Sequence, residues 1–124
     1  MIGVWQGQIV ELGNYIKRLE KLKIDLSNNV IPNITKISNS LFDAVAIVKN
    51  AYTVDNVTAD ANSINDTSEN IENLKNSILN SVIPSINSKI SNINSKINNL
   101  NYLITNEYKK IATAKAAANG GKSA

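Results

Sequence analysis

The sequence predicts an all-α fold, a long antiparallel two-helix hairpin with each arm interrupted at a central proline, and three observations carry that expectation. Large apolar residues recur at steps of three or four through most of the chain, which is helical spacing. The tripeptide Val30-Ile31-Pro32 returns as Val82-Ile83-Pro84, with an isoleucine two residues beyond each proline at Ile34 and Ile86. Between the repeats, Asp55 to Asn62 has no helical periodicity and no long apolar side chain beyond valine, so the hairpin is expected to close there and to set both prolines at one height. The expected boundaries are arm 1 over about 5–53, a turn over about 54–63, arm 2 over about 64–118 and a flexible tail over 119–124, all in one domain.

In the first arm the stripe runs Trp5, Ile9, Leu12, Ile16, Leu19, Leu22, Leu26, Val30, Ile34, Ile37, Leu41, Val45, Val48 and Tyr52. Its mean step of about 3.6 residues is that of a straight helix rather than the 3.5 of a left-handed coiled coil. The stripe passes Pro32 in phase, and Ile31 is a poor N-cap, so the helix is expected to continue through a kink that frees the carbonyl of Asn28. Asn80 holds the same place ahead of Pro84.

The second arm is expected to start where Ser63 precedes Asp66, and Asp66 precedes Glu69, by three residues, as in a capping box. Asp66, Glu69 and Glu72 then read as first-turn charges favoured by the helix dipole, not as ligands, because they lack the alternating spacing of a calcium loop. The stripe continues through Ile71, Leu74, Ile78, Val82, Ile86, Ile90, Ile93, Ile97, Leu100, Ile104, Tyr108 and Ile111, and Ala116 to Gly121 reads as a helix end.

Composition removes most other functions. There is no cysteine and no histidine, so thiolate chemistry and the usual transition-metal ligands are missing, and no Gly-rich phosphate loop or paired carboxylates stand in for them. The chain is expected not to be an enzyme, to need no cofactor and to take no small-molecule substrate. A modest net charge of +3, with the lysines and the single arginine scattered along the chain, argues against nucleic acid. No apolar run is long enough to span a membrane, and the Asn/Ser-rich polar faces differ from the Lys/Arg-dense faces of lipid-binding helices. Asparagine makes up about one residue in six. An AT-rich coding sequence accounts for it, and since asparagine is a mediocre helix former the helices must draw their stability from packing.

Two helices bury one seam, yet Ile24, Ile31, Phe42, Ile47, Leu79, Ile83 and Leu103 lie beside it. This wider apolar arc calls for a second packing surface, supplied by another helical protein or a second copy of the chain, inside a larger helical bundle. Ile31, Phe42, Leu79 and Ile83 are the expected partner-binding residues, with Val30, Val82, Ile34 and Ile86 in the seam and Pro32 and Pro84 shaping the interface.

Trp5-Gln6-Gly7 is a W-x-G tripeptide at the head of a long amphipathic helix, in a small cysteine-free chain that begins without the basic and apolar regions of a secretory signal. Together these features resemble the small helical proteins of bacterial type VII secretion, the W-x-G family and the helical partners of LXG toxins. The resemblance implies a secretion substrate or targeting chaperone, cytoplasmic before export and leaving by a route independent of a signal peptide, with Trp5 and Gly7 added to the partner-binding residues. In that family W-x-G lies in the turn between the helices, whereas the turn expected here has neither residue. The family's export signal, an aromatic followed four residues later by an acid, is unmatched at Tyr102 and Tyr108, which are followed at that distance by Asn106 and Ala112. A plainer alternative is that Trp5 anchors the end of the hairpin opposite about Ile111 and that Gly7 admits a close neighbour; a self-assembling structural subunit is the alternative function.

Overall fold

The computed structural model describes the backbone of residues 1–51 and 55–123 and the side chains of 1–50 and 60–120. The chain is an all-α helical hairpin. The first arm is α1 (Ile2–Asp25), a five-residue π-helical turn (Leu26–Val30) and α2 (Ile31–Ala51); the second is α3 (Asp55–Ser77), another π turn (Ile78–Val82) and α4 (Ile83–Ser123). Two compact units result. A central unit comprises Glu20–Asn87, and a terminal unit pairs Met1–Leu19 with Ser88–Ala124.

The arms run antiparallel within each unit. In the central unit the Ser38 and Ser68 hydroxyls are 3.4 Å apart and Lys23 Nζ donates to Asn87 Oδ1 at 3.1 Å, so moving back along one arm moves forward along the other. In the terminal unit Lys89 Nζ sits 5.8 Å from the centre of the Tyr15 ring. Thr35, Thr67 and Ser95 turn their hydroxyls onto the carbonyls of Ile31, Ser63 and Ser91, which disposes of polar side chains within the helix itself.

The burial pattern revises the expected period. The first arm's inward positions are Trp5, Ile9, Leu12, Ile16, Leu19, Lys23 and Leu26, then Ile31, Ile34, Ser38, Leu41, Val45 and Val48, all buried or half-buried. Their steps alternate four and three, the 3.5 spacing of heptads, except for one step of five from Leu26 to Ile31. The second arm repeats this from Ala61 through Ile64, Ser68, Ile71, Lys75 and Ile78, with a step of five to Ile83, and onward through Ile86, Ile90, Ile93, Ile97, Leu100 and Ile104. Each arm is thus a heptad helix carrying one extra residue. The expected mean of 3.6 blends the two.

The extra residue resides in the π turn. Added to an α-helix it would rotate everything beyond it by about 100°, while a turn closed by i→i+5 bonds absorbs it locally. The Ile31 N–H accordingly donates to the Leu26 carbonyl and the Ile83 N–H to the Ile78 carbonyl, with α-region dihedrals on both sides. The expected continuous path past each proline is present, and the interruption expected there takes the form of this wide turn, a usual site of helix bending. Each proline follows its turn by two residues, where its ring would crowd the carbonyl four residues back, and the wider turn gives that carbonyl room.

Three expected boundaries change. Residues 55–63 are helical, so the turn expected over 54–63 is not there, and 52–54, with Tyr52 of the stripe, lie outside the described residues. The register fixed by Ser38–Ser68 and Lys23–Asn87 therefore sets the two π turns level with each other, not the two prolines. Ser63, Asp66 and Glu69 sit in the interior of α3 rather than at its cap, and Glu72 pairs with Lys75 at 3.3 Å instead of meeting a helix dipole. α4 runs on to Ser123, past the expected tail boundary, and no glycine of positive φ ends it among the described residues.

Candidate partner-binding surface

Each arm has two flanks beside the seam. In an antiparallel pair, the residues just ahead of each three-spaced seam pair gather on one side, and those just after it gather on the other. Tyr15 and Lys89, both of the first kind, meet in the terminal unit as this rule requires.

The residues expected to form one partner patch fall in three places. Ile31 and Ile83 are half-buried seam residues; Val30 and Val82, expected in the seam, are 38% and 41% exposed. The extra residue in each π turn moves the seam one position along, from the valine to the isoleucine. Phe42 and Leu79 are exposed on the following-residue flank, but Glu69 and Glu72 are exposed or half-buried on the same side between their levels, so they form no continuous patch.

The opposite flank of the central unit holds what the sequence reading placed in or near the seam. Leu22, Val30, Ile37, Leu74 and Val82 are each between 38% and 54% exposed. In the antiparallel register they alternate between arms in the order Leu22, Val82, Val30, Leu74, Ile37, a ridge about 22 Å long at 1.5 Å per residue. Its outward neighbours are Asn33, Ser40, Asn70, Ser77 and Ser85, with Asp25 the one charge among them. A sequence signal for it exists. Leu22, Leu26, Val30 and Ile34, like Leu74, Ile78, Val82 and Ile86, are spaced by four throughout, and each such step drifts about 40° around an α-helix. Such a stripe cannot stay on one seam.

Trp5-Gln6-Gly7 lies inside α1. In the terminal unit Trp5 is half-buried and lines a hollow of about 610 Å³ with α4 residues including Leu103, Glu107, Lys110 and Ala114. This is the stretch around Ile111 that the anchoring alternative named. Gly7 is exposed, and a Cβ added there would meet nothing within 4 Å, so no side chain among the described residues uses the space it leaves. A second hollow of about 520 Å³ is lined by Glu11, Tyr15, Arg18 and Lys96 among others. There Tyr15 has the Arg18 guanidinium carbon 5.5 Å from its ring centre, within cation–π range.

Among the described residues no three His, Cys, Asp or Glu side chains converge in a group that could hold a metal ion. No helix among them is long and apolar enough to cross a membrane. The surface can bury apolar side chains and exchange amide and hydroxyl hydrogen bonds. Compared with models of known protein families, with curated proteins and with solved structures, the chain matches none.

Proposed function

We propose that this chain is a non-enzymatic helical partner protein that completes its packing against another helical chain. The supporting observation is the number of large apolar side chains that two arms leave uncovered in the central unit, with Phe42 at 65% and Ile47 at 68% exposure beside the five ridge residues. Isolated exposed apolar residues are ordinary, but a continuous line of them marks a contact surface. The W-x-G resemblance supports the finer reading, a type VII secretion substrate or targeting chaperone. Export tests that reading: produced in a bacterium with an intact type VII apparatus, the chain should reach the medium, and should stay in the cells when the secretion ATPase is removed. Equal amounts in both media would remove the secretion role.

The second reading, a self-assembling structural subunit, is supported by the internal repeat of Leu22, Val30 and Ile31 at Leu74, Val82 and Ile83. Light scattering that grows with concentration beyond any small discrete assembly would favour it.

A further inference from the structure

We infer that the Leu22–Val82–Val30–Leu74–Ile37 ridge is the docking face for a second copy of this chain, two central units meeting ridge to ridge as a four-helix bundle. The inference rests on the partner-protein reading and names the partner for this flank.

The ridge is internally symmetric. Its first four residues read leucine, valine, valine, leucine, because Leu74 and Val82 are the repeat counterparts of Leu22 and Val30. An antiparallel hairpin with identical residues at repeat positions has a local two-fold axis through the middle of its flank, here between Val30 and Val82. Such a surface can meet its own copy from either end with like residues opposed, each residue being both offered and accepted as in an isologous two-fold contact. In the docked pair valines face valines at the centre and leucines face leucines outside them.

Interface cores are depleted of charged residues, and a charge buried without a partner is costly. The ridge and its outward neighbours carry only Asp25, so a partner helix with the usual dense lysine and glutamate faces would bury charge against amides, hydroxyls and aliphatics. A second ridge brings none. On the following-residue flank, by contrast, Glu20, Lys49, Glu69 and Glu72 are interspersed with Phe42 and Leu79. The preceding-residue flank of the terminal unit carries Arg18, Lys89 and Lys96 against the single carboxylate of Glu11, and this excess of one sign disfavours self-contact there.

The ridge residues directly precede the seam residues Lys23, Ile31, Ser38, Lys75 and Ile83, so burying them extends one apolar core rather than creating a second. Lys23 and Lys75 lie partly in the seam and reach Asn87 and Glu72 on the opposite flank, which keeps both ammonium groups away from the ridge.

The test uses the full chain, 13.5 kDa, in sedimentation velocity over a wide concentration range. The expected result is a discrete dimer that dissociates on dilution. Val30→Lys with Val82→Lys should raise the dissociation constant at least 100-fold with the helical circular dichroism retained, while Phe42→Lys with Leu79→Lys should leave it within about threefold. Because the chain has no cysteine, a second measurement needs no background correction. Val30→Cys, next to the two-fold axis, should form a disulfide-linked dimer under mild oxidation, and Phe42→Cys should not. A chain monomeric at all concentrations, or a dimer lost in the Phe42/Leu79 variant and kept in the Val30/Val82 variant, overturns the assignment. Either leaves the partner-protein reading standing, since that reading falls on its own if the export experiment is negative and no assembly of any kind forms.

Discussion

Val30 and Ile31 are neighbours in sequence, yet Ile31 is half-buried in the seam while Val30 is 38% exposed beside it, and Val82 and Ile83 repeat the relationship in the other arm. The π turns ending at Val30 and Val82 decide which member of each pair faces inward.

Exchanging the inner pair for serine should therefore be far worse than exchanging the outer pair. Ile31→Ser with Ile83→Ser should lose about 2–4 kcal/mol of unfolding free energy, from half-buried aliphatic surface removed and polar groups brought into the seam. Val30→Ser with Val82→Ser should change it by less than about 1 kcal/mol, the ordinary range for surface positions. Urea unfolding followed by circular dichroism, at dilution where the chain is monomeric, compares them. Equal losses would mean that both pairs belong to one buried core.

The all-α class, the two arms and the approximate place of their pairing were legible because apolar residues keep helical spacing from Trp5 to Tyr52 and again from Ile71 to Ile111. The seam itself was not, and the reason lies in particular residues. Lys23, Ser38, Ser68 and Lys75 occupy inward positions, so a search for large apolar side chains passes over them to the adjacent Leu22, Ile37 and Leu74, which are ridge residues. The turn was misplaced for a related reason. Ala61 is fully buried but too small to register as part of an apolar stripe, and Ser63, Asp66 and Glu69 imitate a cap inside a continuous helix. Which side chains share a flank required the position of the extra residue.

Ser38 and Ser68 test how tightly the arms close. Ser68 is 8% exposed; its hydroxyl lies 3.4 Å from that of Ser38 and 3.5 Å from the Ser38 carbonyl. Removing both hydroxyls, Ser38→Ala with Ser68→Ala, should cost less than the sum of the single exchanges, because each single leaves a polar group without its partner. Ser68→Leu should cost about 1–3 kcal/mol through overpacking. A double-mutant cycle by thermal unfolding measures both, and strict additivity would show that the hydroxyls do not interact.

Gly7 stands in the interior of α1 with open space where a side chain would go. Gly7→Ala should stabilise the chain by about 0.5–1 kcal/mol by lowering the entropy lost on helix formation. Thermal unfolding of the isolated chain reads that gain. If the same variant is more stable but no longer exported, the space at Gly7 serves a partner's close approach; if it is less stable, something in this chain already fills that space.

Each arm is a heptad helix with a single surplus residue held in its π turn, and deleting one residue at a time separates this arrangement from any other. The measurement is the unfolding free energy of chains lacking one residue, made with Pro32→Ala so that the shortened segment can be plainly α-helical. Deleting Asn29, within the first π turn, changes the five-residue step from Leu26 to Ile31 into four and leaves an unbroken heptad seam, so stability should stay within about 1 kcal/mol of the undeleted Pro32→Ala chain. Deleting Lys21, an equally exposed residue of α1, rotates one part of the arm by about 100° against the other and should remove most of the stability. Comparable losses from the two deletions would contradict the account, because the π turn would then hold no surplus residue and the seam would be set in some other way.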